Sequence, residues 1–383
     1  MATMSIFKGF FLCCLGLLLG AVPPVCAGVP GLPDTSSPVT LMEVAREPRL
    51  FDPARGETVG ISFRTSRPAK TILRIFDPEM GLVREFITES SGALDVTRVV
   101  WDGKDMHGKI VPDEAYFFTL EAADSRGNSA FYDPTTISGR EAVVPDNLHY
   151  DAREKVASYR LPQDARVKMR AGIRAGGPLL KAVLSNVPRL SGEHREPWDG
   201  KDETGIVQVI EHGDYALTVE AISLVENSVV TSGNALYDYF AYKNEVSPGR
   251  PKKVERPFRG RPGGTPELEL SPMAKMIPEP KFRIELSEMT LRNERDVPIV
   301  SGRIPIKLNL EDSIKKFITE QRYEIIFFLD FQFVTEREEG YSPFTFLWNT
   351  RETPNGEHVI TFNVATFTGQ VSSASAKVMV WNE

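Results

Sequence analysis

Trp101-Asp102-Gly103-Lys104-Asp105 is written a second time, 97 residues later, as Trp198-Asp199-Gly200-Lys201-Asp202. A period near 100 residues is too long for a solenoid unit and suits a small β-sandwich. The copies agree beyond this core. Gly108 matches Gly205, and Tyr116-Phe-Phe-Thr-Leu-Glu121-Ala122 matches Tyr215-Ala-Leu-Thr-Val-Glu220-Ala221. Upstream, residues 69–86 lie over 165–182, with Arg74 on Arg170 and Leu82 on Pro178.

Working outward, Val59-Gly-Ile61-Ser-Phe63-Arg and Thr71-Ile-Leu-Arg-Ile-Phe76 alternate as half-buried strands do. Asp77-Pro78-Glu79-Met80-Gly81 is a turn into Leu82–Phe86, which predicts a hairpin. Val99–Trp101 and Tyr116–Ala122 are further strands, and Asp124-Ser-Arg-Gly127-Asn128 closes another hairpin. The second copy carries strands near 152–160, 165–173, 179–185 and 215–223, with Gly176-Gly177-Pro178 as a turn. Neither copy shows sustained helical spacing.

Residues 245–281 differ in composition. Eight prolines fall from Pro248 to Pro280, among the basic residues Arg250, Lys252, Lys253, Arg256, Arg259 and Arg261. Such a stretch cannot build a core and reads as a semi-extended linker. Beyond it, Arg303–Leu310 alternates and Tyr323–Asp330 is strongly apolar. Asp312–Gln321 between them has the spacing of a short helix. Phe344–Thr350 is expected to lead through a hairpin turn at Pro354-Asn355-Gly356 into His358–Ala365, and a turn at Thr368–Gln370 into the closing strand Ala374–Trp381. The fold class expected is all-β: three tandem immunoglobulin-like sandwiches, at 41–140, 146–244 and 282–383.

The N-terminus has one charged side chain, Lys8, then an apolar run to Val22, Pro23-Pro24 and Val25-Cys26-Ala27. This describes a secretory signal peptide over 1–27, too short to span a bilayer comfortably, followed by a spacer at 28–40. The alternative makes Cys26 a lipidated residue. Cys13, Cys14 and Cys26 are the only cysteines, so cleavage after Ala27 leaves no thiol, disulfide or Cys-ligated metal. It also removes Lys8 and no acid, moving the net charge from -7 to -8. That balance disfavours general nucleic-acid or anionic-lipid binding.

The first two units resemble the immunoglobulin-like module found at the C-terminal part of the flagellar hook-capping protein. The matching pieces are Phe51-Asp-Pro-Ala, residues 69–77, Gly81-Leu-Val-Arg, Trp101–Asp105, residues 108–113 and 116–128. The second copy matches through 165–181, 198–205 and Gly213-Asp-Tyr215. The third unit looks like a bacterial Ig-like domain of surface proteins and glycosidase-associated chains, through Tyr323–Asp330, Tyr341–Thr350 and Pro354–Phe362. These resemblances imply spacing, adhesion or assembly roles and no defined chemistry. A leader, a doubled module and no hook-cap N-terminal region separate the chain from the hook cap itself.

Candidate chemistry is sparse. Asp102, Asp105 and Asp124, with Asn128, are the oxygen ligands that a calcium ion would use. The simpler reading has Asp-Gly supplying turn geometry at Asp102-Gly103 and Asp199-Gly200. Trp348 is the candidate for stacking on sugar, whereas Trp101, Trp198 and Trp348 all read more simply as plugs of sandwich cores. His107, His149, His194, His212 and His358 have no metal-site spacing and read as solvated loop residues. There is no Gly-x-Ser-x-Gly elbow, P-loop or Cys nucleophile, so no enzyme, cofactor or catalytic residue is expected. What remains is an exported structural or interaction protein of the bacterial periplasm, surface or extracellular space. Its partner would be an envelope or extracellular protein; the alternative is a cell-wall or surface glycan.

Overall fold

The structure is a computed structural model and describes residues 38–92, 95–139, 141–235, 237–246, 278–286, 291–312, 315 and 323–382. The expected leader with its three cysteines, most of the 28–40 spacer, most of the basic linker and most of the helix expected over 312–321 lie outside these residues. In chain order the first repeat gives β1 (Leu41–Glu47), β2 (Leu50–Phe51), β3 (Val59–Thr65), β4 (Ala69–Phe76), β5 (Leu82–Ser90), β6 (Thr97–Trp101), β7 (Ala115–Ala123) and β8 (Ser129–Tyr132). The second gives β9 (Ala142–Val143), β10 (Asp146–Asp151), β11 (Val156–Leu161), β12 (Ala165–Ile173), β13 (Leu179–Arg189), β14 (Gly192–Pro197), β15 (Tyr215–Ser223) and β16 (Val229–Thr231), then helix α1 (Tyr239–Val246). The last region gives β17 (Phe282–Leu286), β18 (Ile299–Val300), β19 (Arg303–Leu310), β20 (Tyr323–Leu329), β21 (Gln332–Arg337), β22 (Phe344–Asn349), β23 (Gly356–Thr366) and β24 (Val371–Val380).

These strands form three two-layered β-sandwiches, so the chain is all-β. In the first, β1-β3-β6 faces β2-β16-β7-β4-β5, with β8 also on β7. In the second, β10-β11-β14 faces β13-β12-β15-β9; in the third, β17-β19-β22 faces β18-β24-β23-β20-β21. The alternation in sequence is the cause. Val59, Ile61 and Phe63 of β3 are fully buried, as are Ala165, Val167, Met169 and Ala171 of β12. Successive side chains point to opposite faces, so every second residue enters the core between the layers. The central strand β7 is flanked on both sides, and its run Ala115–Leu120 is buried throughout. Phe51, Phe63, Leu73, Trp101, Tyr116 and Phe118 fill the first core; Phe327, Phe362, Ile360 and Val378 sit in the third.

The structure departs from expectation in four places. Residues 152–155 are a turn rather than strand, because the Asp151 carboxylate accepts the Arg153 and Glu154 amides. Pro354-Asn355-Gly356 is not a hairpin turn. It is a corner between layers, since β22 pairs with β19 whereas β23 pairs with β20 and β24. A helix is present at α1, where none was expected. Finally, β16, which follows the second sandwich, does not pair within it. It runs antiparallel to β7 and parallel to β2, and Tyr242 of α1 joins the first core, so both return to the first sandwich although β16 and most of α1 fall within the unit expected at 146–244.

Candidate functional site

The repeated pentapeptide builds the same capped turn twice. Trp101 and Trp198 are 0% and 4% exposed, and each donates its indole N–H back to the carbonyl of the motif's lysine, at 2.9 and 2.8 Å. A buried indole carries one polar hydrogen that must find a partner, and the tight turn supplies it. The turn needs glycine: Gly103 and Gly200 have φ of 72° and 81°. A Cβ on Gly103 would also collide with the Pro53 ring. The second aspartate closes the loop that follows. Asp105 Oδ1 accepts the His107 and Lys109 amides, and Asp202 Oδ1 accepts those of Ile206 and Val207.

The calcium candidates are therefore occupied separately. Asp102 Oδ1 accepts the Lys104 amide, Asp105 Oδ2 takes the Tyr242 hydroxyl, and both Asp124 oxygens are held by its own hairpin turn. Among the described residues no three His, Cys, Asp or Glu side chains are grouped to hold a metal, and Asp102, Asp105 and Asp124 do not converge. Trp348 is 5% exposed inside the third core, against Phe327, and offers no open face to a sugar. The exposed tryptophan is Trp381, at 63%.

Not all the histidines are solvated loop residues. His149, His194 and His358 lie in β10, β14 and β23. His358 Nδ1 is 2.6 Å from Asp330 Oδ2, and its Nε2 is 2.8 Å from the Pro354 carbonyl. Carboxylate and carbonyl only accept, so both contacts are satisfied when both ring nitrogens carry protons, a setting that favours the imidazolium. Burial acts to lower its pKa, but the Asp330 and Pro354 hydrogen bonds and the Asp330 charge outweigh that and raise it. The pair fixes the β20–β21 turn, where Asp330 and Phe331 both take positive φ. Such a turn normally carries glycine.

The surfaces that join the sandwiches hold a further set of polar contacts, and none of these was found from sequence. Between the first and second, Arg166 Nη2 meets Glu114 Oε1 at 2.6 Å, with the Glu114 side chain 4% exposed. Arg49 Nη2 reaches Asp164 Oδ1 at 2.6 Å and Ser191 Oγ at 3.1 Å, while Arg46 Nε donates to the Ser228 carbonyl at 2.7 Å. Burial lowers the Arg46 pKa, opposed by the Asp164 charge. Between the second and third, Asn363 imitates a backbone partner for edge strand β13. Its Oδ1 accepts the Leu179 amide at 2.9 Å and its Nδ2 donates to the Leu179 carbonyl at 2.8 Å. Phe331 and Val359 pack onto the cluster around Trp198, Val207 and Val209, and Phe331 stands edge-on to His212 at 5.2 Å.

No family model matches the chain, and no curated protein matches it. Among solved structures it is similar to part of a 1.5-MDa bacterial ice-binding adhesin, at 10% identity over 91% of this chain and 99% of that one, with a TM-score of 0.19. It is also similar to a tetra-tandem repeat from the extending region of a large adhesion protein, at 14% identity over 89% and 74% of the two chains, with a TM-score of 0.20. Latent PorU from Porphyromonas gingivalis is matched at 9% identity over 90% of this chain and 34% of that one, TM-score 0.20. At such identities and scores these likenesses carry no argument about what the chain does.

Proposed function

We propose that this chain is an exported, non-enzymatic spacer or scaffold of the bacterial envelope or extracellular space. Its first two sandwiches would be of the hook-cap immunoglobulin-like type, and the third a bacterial Ig-like domain. The observation that carries the reading is the fastening of one sandwich to the next. Strand β16 returns across the first junction, and the Asn363 amide bonds the edge of β13 across the second. Independent modules on a string need no such ties, and a stiff spacer does. The glycan alternative loses the residue chosen for it, because Trp348 is inside a core.

The expected absence of thiols after Ala27 makes the test direct. Cysteines placed at exposed Lys70 and Thr345, in the first and third sandwiches, take one spin label each. A narrow distribution of label distances by pulsed electron resonance supports a stiff spacer. A broad one refutes it. Recovery of the chain without residues 1–27 from the envelope or medium tests the export half, and retention of that segment in the cytoplasm defeats it.

A further inference from the structure

The turn between β4 and β5 and the helix α1 bring a nucleophile, an electrophile and a base to one place. The Asp77 side chain is 4% exposed. Its Oδ1 accepts two backbone amides, from Glu79 at 2.9 Å and Gly81 at 2.8 Å. Its Oδ2 meets Lys243 Nζ at 2.6 Å. Glu79 Oε2 stands 3.7 Å from the same nitrogen, with the Tyr239 hydroxyl 3.5 Å from that oxygen. The approach needs glycine at 81, where a Cβ would stand 2.8 Å from Lys243 Nζ.

We propose that Lys243 and Asp77 condense into an isopeptide bond, with Glu79 as the general acid–base. A simple ion pair asks only for opposite charges; this arrangement has more. The acceptor carboxyl is fixed with one oxygen in a pair of N–H donors and the other against the amine, so an oxyanion cradle and a nucleophile share one group. A proton passes from the ammonium to Asp77 Oδ2, leaving a neutral amine beside a neutral acid. The amine lone pair attacks Cγ, and the negative charge that develops on Oδ1 is held by the Glu79 and Gly81 amides. Glu79 removes a proton from the attacking nitrogen and delivers it to the Oδ2 hydroxyl, which departs as water. One Nζ–Cγ bond forms, one Cγ–Oδ2 bond breaks, one water is released, and nothing is oxidised or reduced.

The surroundings favour this direction. Tyr239 and Tyr242, on the same helix, are 7% and 2% exposed, and Phe76 beside Asp77 is 5% exposed. Burial, with the Asp77 and Glu79 charges added, pushes the Tyr239 phenol far above its usual range. With the Asp77, Lys243 and Glu79 side chains 4%, 19% and 20% exposed, the charges lose much of their solvation, which favours the neutral amide over the separated ions. The product would tie α1 covalently to the first sandwich across 166 residues of chain. It would give a chain without mature cysteines a cross-link of another chemistry.

Peptide mapping of the purified full-length mature chain tests this. The expected result is a branched peptide joining the Asp77 and Lys243 segments, lighter than the sum by one water, with trypsin unable to cut after Lys243. Lys243→Arg keeps the charge, and Glu79→Gln keeps the shape. Both should lose the branch while tryptophan fluorescence shows them folded. Normal cleavage after Lys243 with no branched peptide overturns the proposal and leaves an ion pair. Water loss located instead at Asp102-Gly103 or Asp199-Gly200 overturns it too. A branch that persists in Glu79→Gln removes Glu79 from the mechanism.

Discussion

Trp101 was legible from sequence because its side chain does two things that only tryptophan does together. It fills the first core against Phe51 and Tyr116, at ring distances of 5.6 and 5.3 Å, and it ties the following turn through its N–H. Trp101→Ala should therefore lower stability by about 3–5 kcal/mol, read from the urea midpoint of the first sandwich. Retention of wild-type stability would show that the indole is not the plug. His358 was read as a loop residue because its partner is 28 positions away, at the far end of another hairpin. A single sequence gives no sign of that pairing. Its pKa is raised in the folded state above the 6.5 of a free side chain. Its contribution is thus complete below about 6.5 and disappears as pH climbs through the folded value. The His358 resonances should report an imidazolium with a raised pKa, and His358→Asn should flatten that limb of the stability profile. A titration at or below the unfolded value would contradict the pair.

Elements with their own pattern were legible, and those defined by a distant partner were not. β3, β4 and β12 alternate, so their inner faces could be written down in advance. β16 is three residues long, and its place between β2 and β7 comes from contacts that sequence does not show. Helix α1 left one readable sign. Asp238 accepts the Phe240 and Ala241 amides as a cap, and Tyr239, Tyr242 and Val246 follow at helical spacing. Asp238→Ala should destabilise α1 by about 1 kcal/mol, seen as faster amide exchange in 239–246. In β16, Thr231 Oγ1 accepts the Glu114 amide at 3.0 Å and donates to the Pro112 carbonyl at 2.9 Å. Thr231→Val keeps the shape and leaves a buried N–H without its acceptor. It should cost about 1–3 kcal/mol, and a neutral outcome would mean that β16 is held by apolar burial of Val229 and Val230 alone.

For the whole molecule, the repeat announces two similar sandwiches and says nothing of how one is fastened to the next. Two of the fasteners sit where the copies differ: Glu114 falls on Gly213 when Tyr116 is laid on Tyr215, and β16, which follows β15 as β8 follows β7, pairs outside its own sandwich whereas β8 pairs within it. The first junction is built in part from these differences between the repeats. Glu114 and Arg166 give the sharpest test. The carboxylate is nearly sealed from water, already accepts the Ala115 amide at 2.6 Å, and depends on a guanidinium from the neighbouring sandwich for its charge balance. Removing one partner of a buried pair leaves an uncompensated ion, which costs about 3–5 kcal/mol, whereas removing both charges together costs far less. Arg166→Met should accordingly unfold at a lower denaturant concentration than wild type, and the double variant Glu114→Gln, Arg166→Met should recover much of the loss. With Glu114→Gln alone completing the cycle, the comparison isolates the interaction, because that change removes the charge yet keeps a side-chain oxygen to accept the Ala115 amide. Losses that simply add across Glu114→Gln, Arg166→Met and the double variant would show that the two charges are not coupled, and the first junction would then rest on β16 and on the Arg46 and Arg49 contacts.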